Sequence, residues 1–405
     1  MIRHLFTLIW NRKRTNVLMM TEIFVSFLVL FAVVALGVYM LDNWRRPIGF
    51  SIDGVWNVGV DMKQVSDDYF DASQQESVRQ LFLALGEFPE IERVAGTMLA
   101  PYQFGSSSSS YRWRNREIEF GVAEVTDDFQ DVMGLKLVQG RWFGPEDDGQ
   151  SYDAVVINET MSRELFGSES AVGQNIRPDE APPGTVSPKP YRVVGVIEAY
   201  REDGEFDGTR NYAIFRKPLR GDDAKSRPPR NLLIKVRAGT PAAFEERLIK
   251  RLQAAAPGWS FEVTRLEQMR EDSIRFAVAP LIAVGLVAGF LMLMVALGLF
   301  GVLWQAVTQR TRELGLRRAK GASKVNVRRQ ILGEIGVMTS LALAVGLLVV
   351  VQFPLLDIIY FVDLHVYLIA FVLSAATIVG VTLLCGWYPS HVATRIEPAE
   401  ALRYE

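Results

Sequence analysis

Apolar residues gather into three long stretches of the chain. Val17–Leu41 spans 25 residues and carries one charge, Glu22. Phe276–Val307 spans 32 residues with none. Ile335–Tyr388 is apolar in two parts, Ile335–Phe353 and Val366–Tyr388, separated by PLLDIIYFVDLH. A spanning helix takes ~20 apolar residues. The pattern therefore predicts four transmembrane helices, the last two joined by a short turn. The second run makes about 48 Å of helix at ~1.5 Å per residue, against a hydrocarbon core of ~30 Å. One end then stands clear of the membrane. The first helix also runs on past Leu41 towards Pro47, so two helices leave the membrane together as a stalk.

Residues 42–275 change character. Val55–Val60 and Glu117–Val125 alternate like half-buried strands, and Tyr191–Ile197 and Leu232–Val236 read as further strands. Gln74–Leu85 has helical spacing, with Val78, Leu81, Phe82 and Leu85 on one face. Ala154–Ile157 followed by Glu159–Phe166 forms a strand–helix unit, and Pro241–Ala255 an amphipathic helix. The serine run Ser106–Ser110 and the proline-rich Arg177–Pro190 read as exposed loops. The expected fold class is a membrane α-helical protein of four transmembrane helices, with an α+β extracytoplasmic domain inserted between helices 1 and 2. Its 234 residues suffice for one large domain or two small ones.

Charge gives the direction. Thr308–Arg329 holds eight basic residues (Arg310, Arg312, Arg317, Arg318, Lys320, Lys324, Arg328, Arg329) and one acid, Glu313. Short basic loops stay in the cytoplasm. Arg3, Arg12, Lys13 and Arg14 put the N-terminus on the same side, and Arg395 and Arg403 the tail. The turn with Asp357 and Asp363 has no Lys or Arg and belongs outside. The expected division is a cytoplasmic amphipathic segment 1–16, helix 17–41, external domain 42–275 with stalk ends, helix 276–307, cytoplasmic segment 308–330, helix 331–353, external turn 354–365, helix 366–388 and cytoplasmic tail 389–405. The first run is too long for a signal peptide, and LGVYMLDNW offers no A-x-A-type cleavage site. It is a retained anchor in the inner membrane.

Composition removes most catalytic chemistry. No G-x-x-x-x-G-K-[ST] loop is present to cradle phosphates, and no G-x-S-x-G. Three histidines (His4, His365, His391) make no H-E-x-x-H, and no Cys/His spacing suggests a metal centre. The lone cysteine, Cys385, lies in the fourth apolar run, so no disulfide frames the external domain. The acid pairs Asp67-Asp68, Asp127-Asp128 and Asp147-Asp148 read as solvated surface or turn residues. Glu22, five residues into its run, reads as an interface residue, with the basic 308–329 segment as its nearest source of a partner. Gly285 and Gly289 form a G-x-x-x-G, a candidate helix–helix contact. The chain is expected to be no enzyme, and neither its patterning nor its net charge of −2 points to nucleic acid.

The basic segment also has internal order. Thr311–Lys320 is rich in helix formers with a favourable Glu313→Arg317 pair, Gly321 suits a helix C′ position, and Ser323 can cap the next helix. The string R-T-R-E-L-G-L-R-R-A-K-G-A-S resembles the signature of the FtsX-like ABC-transporter permeases, the type VII or mechanotransmission superfamily. Tyr388-Pro389 and Ile396-Glu-Pro-Ala-Glu-Ala-Leu-Arg403 resemble that family's closing motif. The external domain resembles the MacB-type periplasmic core domain through Val125-Thr-Asp-Asp-Phe129, Met133-Gly-Leu-Lys-Leu137, Gly140-Arg-Trp-Phe143, Val155-Val-Ile-Asn-Glu159, Leu165-Phe-Gly167, Val172-Gly-Gln174 and Tyr191-Arg-Val-Val-Gly-Val196.

The resemblance implies a permease subunit that binds no cofactor itself. Two copies of a separate cytoplasmic ATPase hold ATP and Mg. The permease pairs with a second copy or a paralogue, and an adaptor and outer-membrane channel join some assemblies of this kind. By the same resemblance Glu313, Leu314, Gly315, Arg317, Arg318, Ala319, Gly321 and Ala322 couple to the ATPase. The implied activity is export or extraction of a peptide, antibiotic, lipid or lipoprotein. The alternative is an FtsX-like signalling role that activates a cell-wall hydrolase without transport.

Overall fold

The computed structural model describes residues 13–62, 72–113, 116–176, 189–218, 228–241, 243–309, 323–356, 358–359 and 362–393. These divide into a helical unit, residues 1–42 and 278–405, and an external unit, residues 43–277.

The helical unit is built from α1 (Lys13–Arg45), α6 (Leu266–Gln309), α7 (Lys324–Val350), the short α8 (Gln352–Leu355) and α9 (Leu364–Ala393). Four of these are long and apolar enough to cross a membrane: Val17–Arg45, Leu266–Gln305, Val325–Leu355 and Leu364–His391. Their shared core holds Met19, Ile23, Phe27, Leu299, Ile335, Met338 and Ala370. Glycine lets the helices close on bulky partners. A Cβ at Gly346 would stand 2.5 Å from the Phe27 ring, and one at Gly386 2.6 Å from Ile335 Cδ1. Phe27 also meets Phe371 edge-on at 5.8 Å. Leu286, Leu368 and Leu384 remain exposed on the outside of the bundle, as lipid-facing residues must. Two polar side chains inside the spans bond back to their own helix, Ser26 to the Glu22 carbonyl at 2.7 Å and Thr382 to that of Ile378 at 2.8 Å.

Among the described residues the external unit is one 11-stranded sheet with helices on it. In chain order the elements are β1 (Val55–Asp61), α2 (Ala72–Gly86), β2 (Ile91–Thr97), β3 (Ser108–Trp113), β4 (Arg116–Val125), α3 (Phe129–Met133), β5 (Leu137–Gly140), β6 (Asp153–Asn158), α4 (Glu159–Phe166), β7 (Asn175–Ile176), β8 (Tyr191–Ile197), β9 (Tyr212–Arg216), β10 (Asn231–Val236), α5 (Ala243–Ala255) and β11 (Ser260–Arg265). The strand order is β11-β1-β10-β2-β4-β9-β6-β8-β5, with β3 on β4 and β7 on β8.

The sheet has a seam. β2 and β4 share a single register pair, Thr97↔Val125. On one side β11, β1, β10 and β2 pair antiparallel, and Trp56, Val58 and Ile234 pack with Leu81 and Leu85 of α2 and Phe244 and Leu248 of α5. On the other side β6 and β8 run parallel. Their near-continuous apolar runs are buried against Met161 and Leu165 of α4. The Asn158 side chain caps α4, accepting from the Met161 N–H at 3.0 Å. A third cluster fills the seam, with Phe50, Tyr102, Val125, Phe129, Tyr200 and Tyr212 among its members.

Two expectations change. Ser108–Ser110 is no loop: it pairs antiparallel with Glu119–Gly121 as the start of β3. An edge strand needs no apolar face when only its backbone is claimed, so a serine run hides it. The second long helix begins at Leu266, ten residues before the apolar run, because its first turns carry the polar sequence LEQMREDSIR. The proline-rich segment lies almost wholly outside the described residues.

Candidate functional site: a joint between two long helices and the sheet

The loop Tyr200–Asn211 leaves β8 and enters β9 with the sequence YREDGEFDGTRN. Its backbone is tightly placed. A Cβ at Gly49 (φ +92°) would stand 2.0 Å from the Ala199 carbonyl oxygen, so only glycine lets the chain leaving α1 lie against the start of this loop.

Arg201 organises the loop. It is 4% exposed. Its Nη1 donates to the carbonyls of Asn43 at 3.0 Å and Arg46 at 3.1 Å, and its Nη2 to that of Glu205 at 2.7 Å and to that of Asp207. One buried guanidinium thus closes the C-terminal end of α1 onto the loop. The Asn43 carbonyl also accepts the Arg46 N–H at 3.1 Å, and a cation at this helix end suits the helix dipole. Asn43 adds a bond from Nδ2 to the Phe206 carbonyl at 3.3 Å, and Trp44 lies 5.2 Å from the Phe206 ring. From the other long helix, Arg270 of α6 donates to the Glu205 carboxylate and lies over the Trp44 ring at 5.6 Å. Burial and the Glu205 charge push the Tyr102 hydroxyl above its usual range, and it donates to the same carboxylate at 3.4 Å. The end of α1 and the first turns of α6 therefore grip one loop.

That loop is in turn fixed to the sheet. Arg210 Nη2 donates to Glu202 at 2.7 Å and Asp203 at 2.9 Å, and the Tyr212 hydroxyl donates to Glu202. Asn158 accepts the Tyr212 N–H at 3.1 Å and donates to the Arg210 carbonyl at 2.7 Å. Gly121 of β4 makes room for the Tyr212 ring, since a Cβ there would lie 2.4 Å from it. Burial pushes the Glu202 carboxyl up to about 7, against the lowering pull of the Tyr212 hydroxyl and Arg210. Burial likewise raises Asp203 to about 6, with Arg210 opposing. Buried Tyr200 and Tyr212 are both raised well above the phenol range, first by loss of solvent.

The residues singled out in the sequence lie elsewhere. Glu313, Leu314, Gly315, Arg317, Arg318, Ala319, Gly321 and Ala322 lie outside the described residues. Ser323 does cap α7, accepting the Asn326 N–H at 3.2 Å. A Cβ at Gly285 or Gly289 would meet nothing within 4 Å, so neither glycine is used inside the described bundle. The Glu22 carboxylate lies against α6, where a Cβ at Gly298 would stand 2.4 Å from its Oε1. Asp147 corrects the expectation of solvated acid pairs. It is 1% exposed, and Arg141 holds it at 2.6 Å. Burial works to raise its carboxyl, but hydrogen bonds from Arg141 and the Gly144 N–H keep it below its usual range. Asp127 and Asp148 both bind Arg216, at 2.8 and 2.6 Å. Asp42, Asp363 and His365 bring three ligating atoms within 4.8 Å of one another, in half-buried and exposed positions. No spacing rule links residues so far apart in sequence.

Comparison with known proteins adds the family. Residues 17–251 match the MacB-like periplasmic core domain, and residues 285–398 the FtsX-like permease C-terminal domain. The chain belongs to the FtsX-like ABC transporter permeases with a MacB-like periplasmic core domain. Among relatives of this permease, the macrolide export ATP-binding/permease protein MacB of Chromobacterium violaceum is 29% identical over 309 residues, covering 73% of this chain and 45% of that protein. The uncharacterized ABC transporter permease YvrN of Bacillus subtilis is 24% identical, covering 100% of this chain and 99% of YvrN. The chain spans about half the length of the MacB relatives it matches. The periplasmic region of MacB from Actinobacillus actinomycetemcomitans is a similar solved structure, 15% identical over 55% of this chain and 92% of that one, with a TM-score of 0.37. This FtsX-like permease is a multi-pass membrane protein with a periplasmic domain. Its matched regions are those of a permease, and no phosphate-binding loop motif occurs in its 405 residues.

Sequence reasoning missed the joint. REDGEFDGTR has the look of a solvated turn, and nothing in its spacing announces that Arg201 is buried. The available signal was the charge alternation itself, since acids and arginines so close in one loop can satisfy each other in a dry site.

Proposed function

We propose that this permease converts ATP-driven motion of two separate cytoplasmic ATPase subunits into movement of its periplasmic domain, with residues 308–330 as the ATPase-coupling segment and both termini cytoplasmic. ATP and Mg are held by the ATPases, and this chain holds no cofactor. The work done is export or extraction of a peptide, antibiotic, lipid or lipoprotein. A second permease copy or paralogue completes the assembly, with Gly285 and Gly289 available to it.

The observation that carries this reading is the Arg201 joint. A domain that merely hung from the membrane would need no shared anchor for the two helices entering it. Here α1 and α6 hold one loop through charge-assisted bonds, and that loop continues through Glu202, Arg210 and Tyr212 into β4 and β9. A buried element held from both sides by charge-assisted hydrogen bonds passes displacement on instead of absorbing it. The test is reconstitution with the partner ATPase in lipid nanodiscs. Glu313→Ala and Gly315→Trp should abolish permease-stimulated ATP hydrolysis while the permease stays folded. Unchanged stimulation in both variants refutes the coupling assignment.

A further inference from the structure

A groove of about 770 Å³ opens beside the joint, within the external unit. It is lined from both halves of the sheet: by β1, β10 and β11 on one side, by β4 on the other, and by the loop running from Met98 to Ser107. Its volume is that of a small-molecule site.

The lining chemistry is asymmetric. Asp61, Glu124, Glu202 and Glu262 border the groove, and Arg230 is its one basic residue among those described. Glu124 is held by Lys217 at 2.7 Å and Glu202 by Arg210 at 2.7 Å. Asp61 and Glu262 stand on one face of adjacent strands, in the register Asp61↔Ser260 and Gly59↔Glu262. Like charges placed diagonally on a sheet face repel, and a cation between them relieves that repulsion. The Glu202 side chain is only 3% exposed and borders the inner end of the cavity, with its carboxylate already bound by Arg210 and the Tyr212 hydroxyl. Met98, Leu99 and Phe104 supply apolar surface, and Phe104 is 76% exposed. Phenyl faces also attract cations.

We propose that this groove binds a ligand with a protonated amine and an apolar body, the amine between Asp61 and Glu262 and the body along Leu99 and Phe104. The proposal rests on the function above only for what the ligand means to the cell; binding itself stands apart from it. Because Glu202 is shared by groove and joint, an occupied groove acts on the same contacts that tie the loop to the sheet.

Gly59 provides a clean probe. A Cβ there meets its nearest atom, the Glu262 carbonyl oxygen, at 3.7 Å, which is ordinary contact. Gly59→Ala should therefore fold and bind as the wild type does, whereas Gly59→Leu fills the groove. The experiment is fluorescence titration of the full-length permease in non-ionic detergent with dansylcadaverine, and with its N-acetylated form as the uncharged control. Saturable one-to-one binding is expected, about tenfold tighter than for the acetylated probe and weakened about fivefold to tenfold by Asp61→Asn with Glu262→Gln. Gly59→Leu should abolish it. Equal binding of the two probes, no saturable binding to the wild type, or unchanged binding to Gly59→Leu overturns the proposal. Addition of the partner ATPase separates the two readings. Groove-dependent binding with no effect on ATP turnover leaves the site intact and counts against the transport role alone.

Discussion

Replacing Arg201 by Met removes the guanidinium while keeping most of the stem volume. Four carbonyl acceptors lose their donor: those of Asn43, Arg46, Glu205 and Asp207. Bonds from a charged donor are worth ~1.5–3 kcal/mol each, which would total roughly 6–12 kcal/mol if they added. Bonds made by one group are not additive, and some of the carbonyls regain water. A loss of about 3–5 kcal/mol follows, the range for breaking one side of a buried charged contact. At roughly 2–4 °C per kcal/mol for a domain of this size, the melting temperature falls by about 10 °C. Tryptophan fluorescence of the purified permease in detergent reads mainly the external unit, which holds five of its eight tryptophans, Trp44, Trp56, Trp113, Trp142 and Trp259. Arg201→Lys should recover part of the loss, because an ammonium serves fewer acceptors than a planar fork. Arg79→Met is the control: its partner Glu76 is exposed, and the exposed pair contributes little. A melting temperature for Arg201→Met within about 2 °C of the Arg79→Met value refutes the claim that the clamp holds the joint.

Two further outcomes follow from the same geometry. The Glu202 carboxyl goes from 4.5 in the unfolded chain to about 7 in the fold, so the folded state keeps its proton longer and stability falls as pH rises through that window. The gap is worth about 3 kcal/mol in all, with about 1 kcal/mol of it lost between pH 6 and 7, above the window of Asp203. Melting curves from pH 6 to 8 should slope downward for the wild type and lie flat for Glu202→Gln; the same slope in both contradicts the assignment. In the helical unit, Gly298→Ala drives a methyl into the Glu22 carboxylate at 2.4 Å. The carboxylate is the end of a flexible side chain, so the loss of detergent stability should stay at about 1 kcal/mol or less, and Glu22→Ala in the same chain should restore it; additive losses in a melting assay count against that contact.

Much of the architecture was legible because its signals are local. Twenty apolar residues in a row mean the same thing in any context, and the alternation in Val55–Asp61 or Tyr191–Ile197 needs only a half-buried sheet. The strands that escaped notice are those whose partners decide them. β3 is a serine-rich edge held by β4, and β9 and β11 are short segments claimed by neighbours far away in sequence. The membrane-side motif was legible as a pattern through its basic, glycine-punctuated order. The joint was not, because burial of Arg201 depends on where Gly49, the end of α1 and the start of α6 come together. The same holds for Asp147, one of a pair of adjacent acids of which one is buried and the other half in solvent.

The central claim is that displacement reaches the periplasmic sheet through the Arg201 joint. It is tested most directly by electron–electron distance measurement between spin labels at Ser110→Cys, an exposed position on β3, in two permease copies assembled with the ATPase in nanodiscs, on a Cys385→Ala background. Addition of ATP should change the label-to-label distance distribution in this chain. In Arg201→Met, compared below its melting temperature, ATP hydrolysis should continue while that distribution stays still. An identical ATP-driven change with the clamp removed, or no change with it intact, contradicts the account.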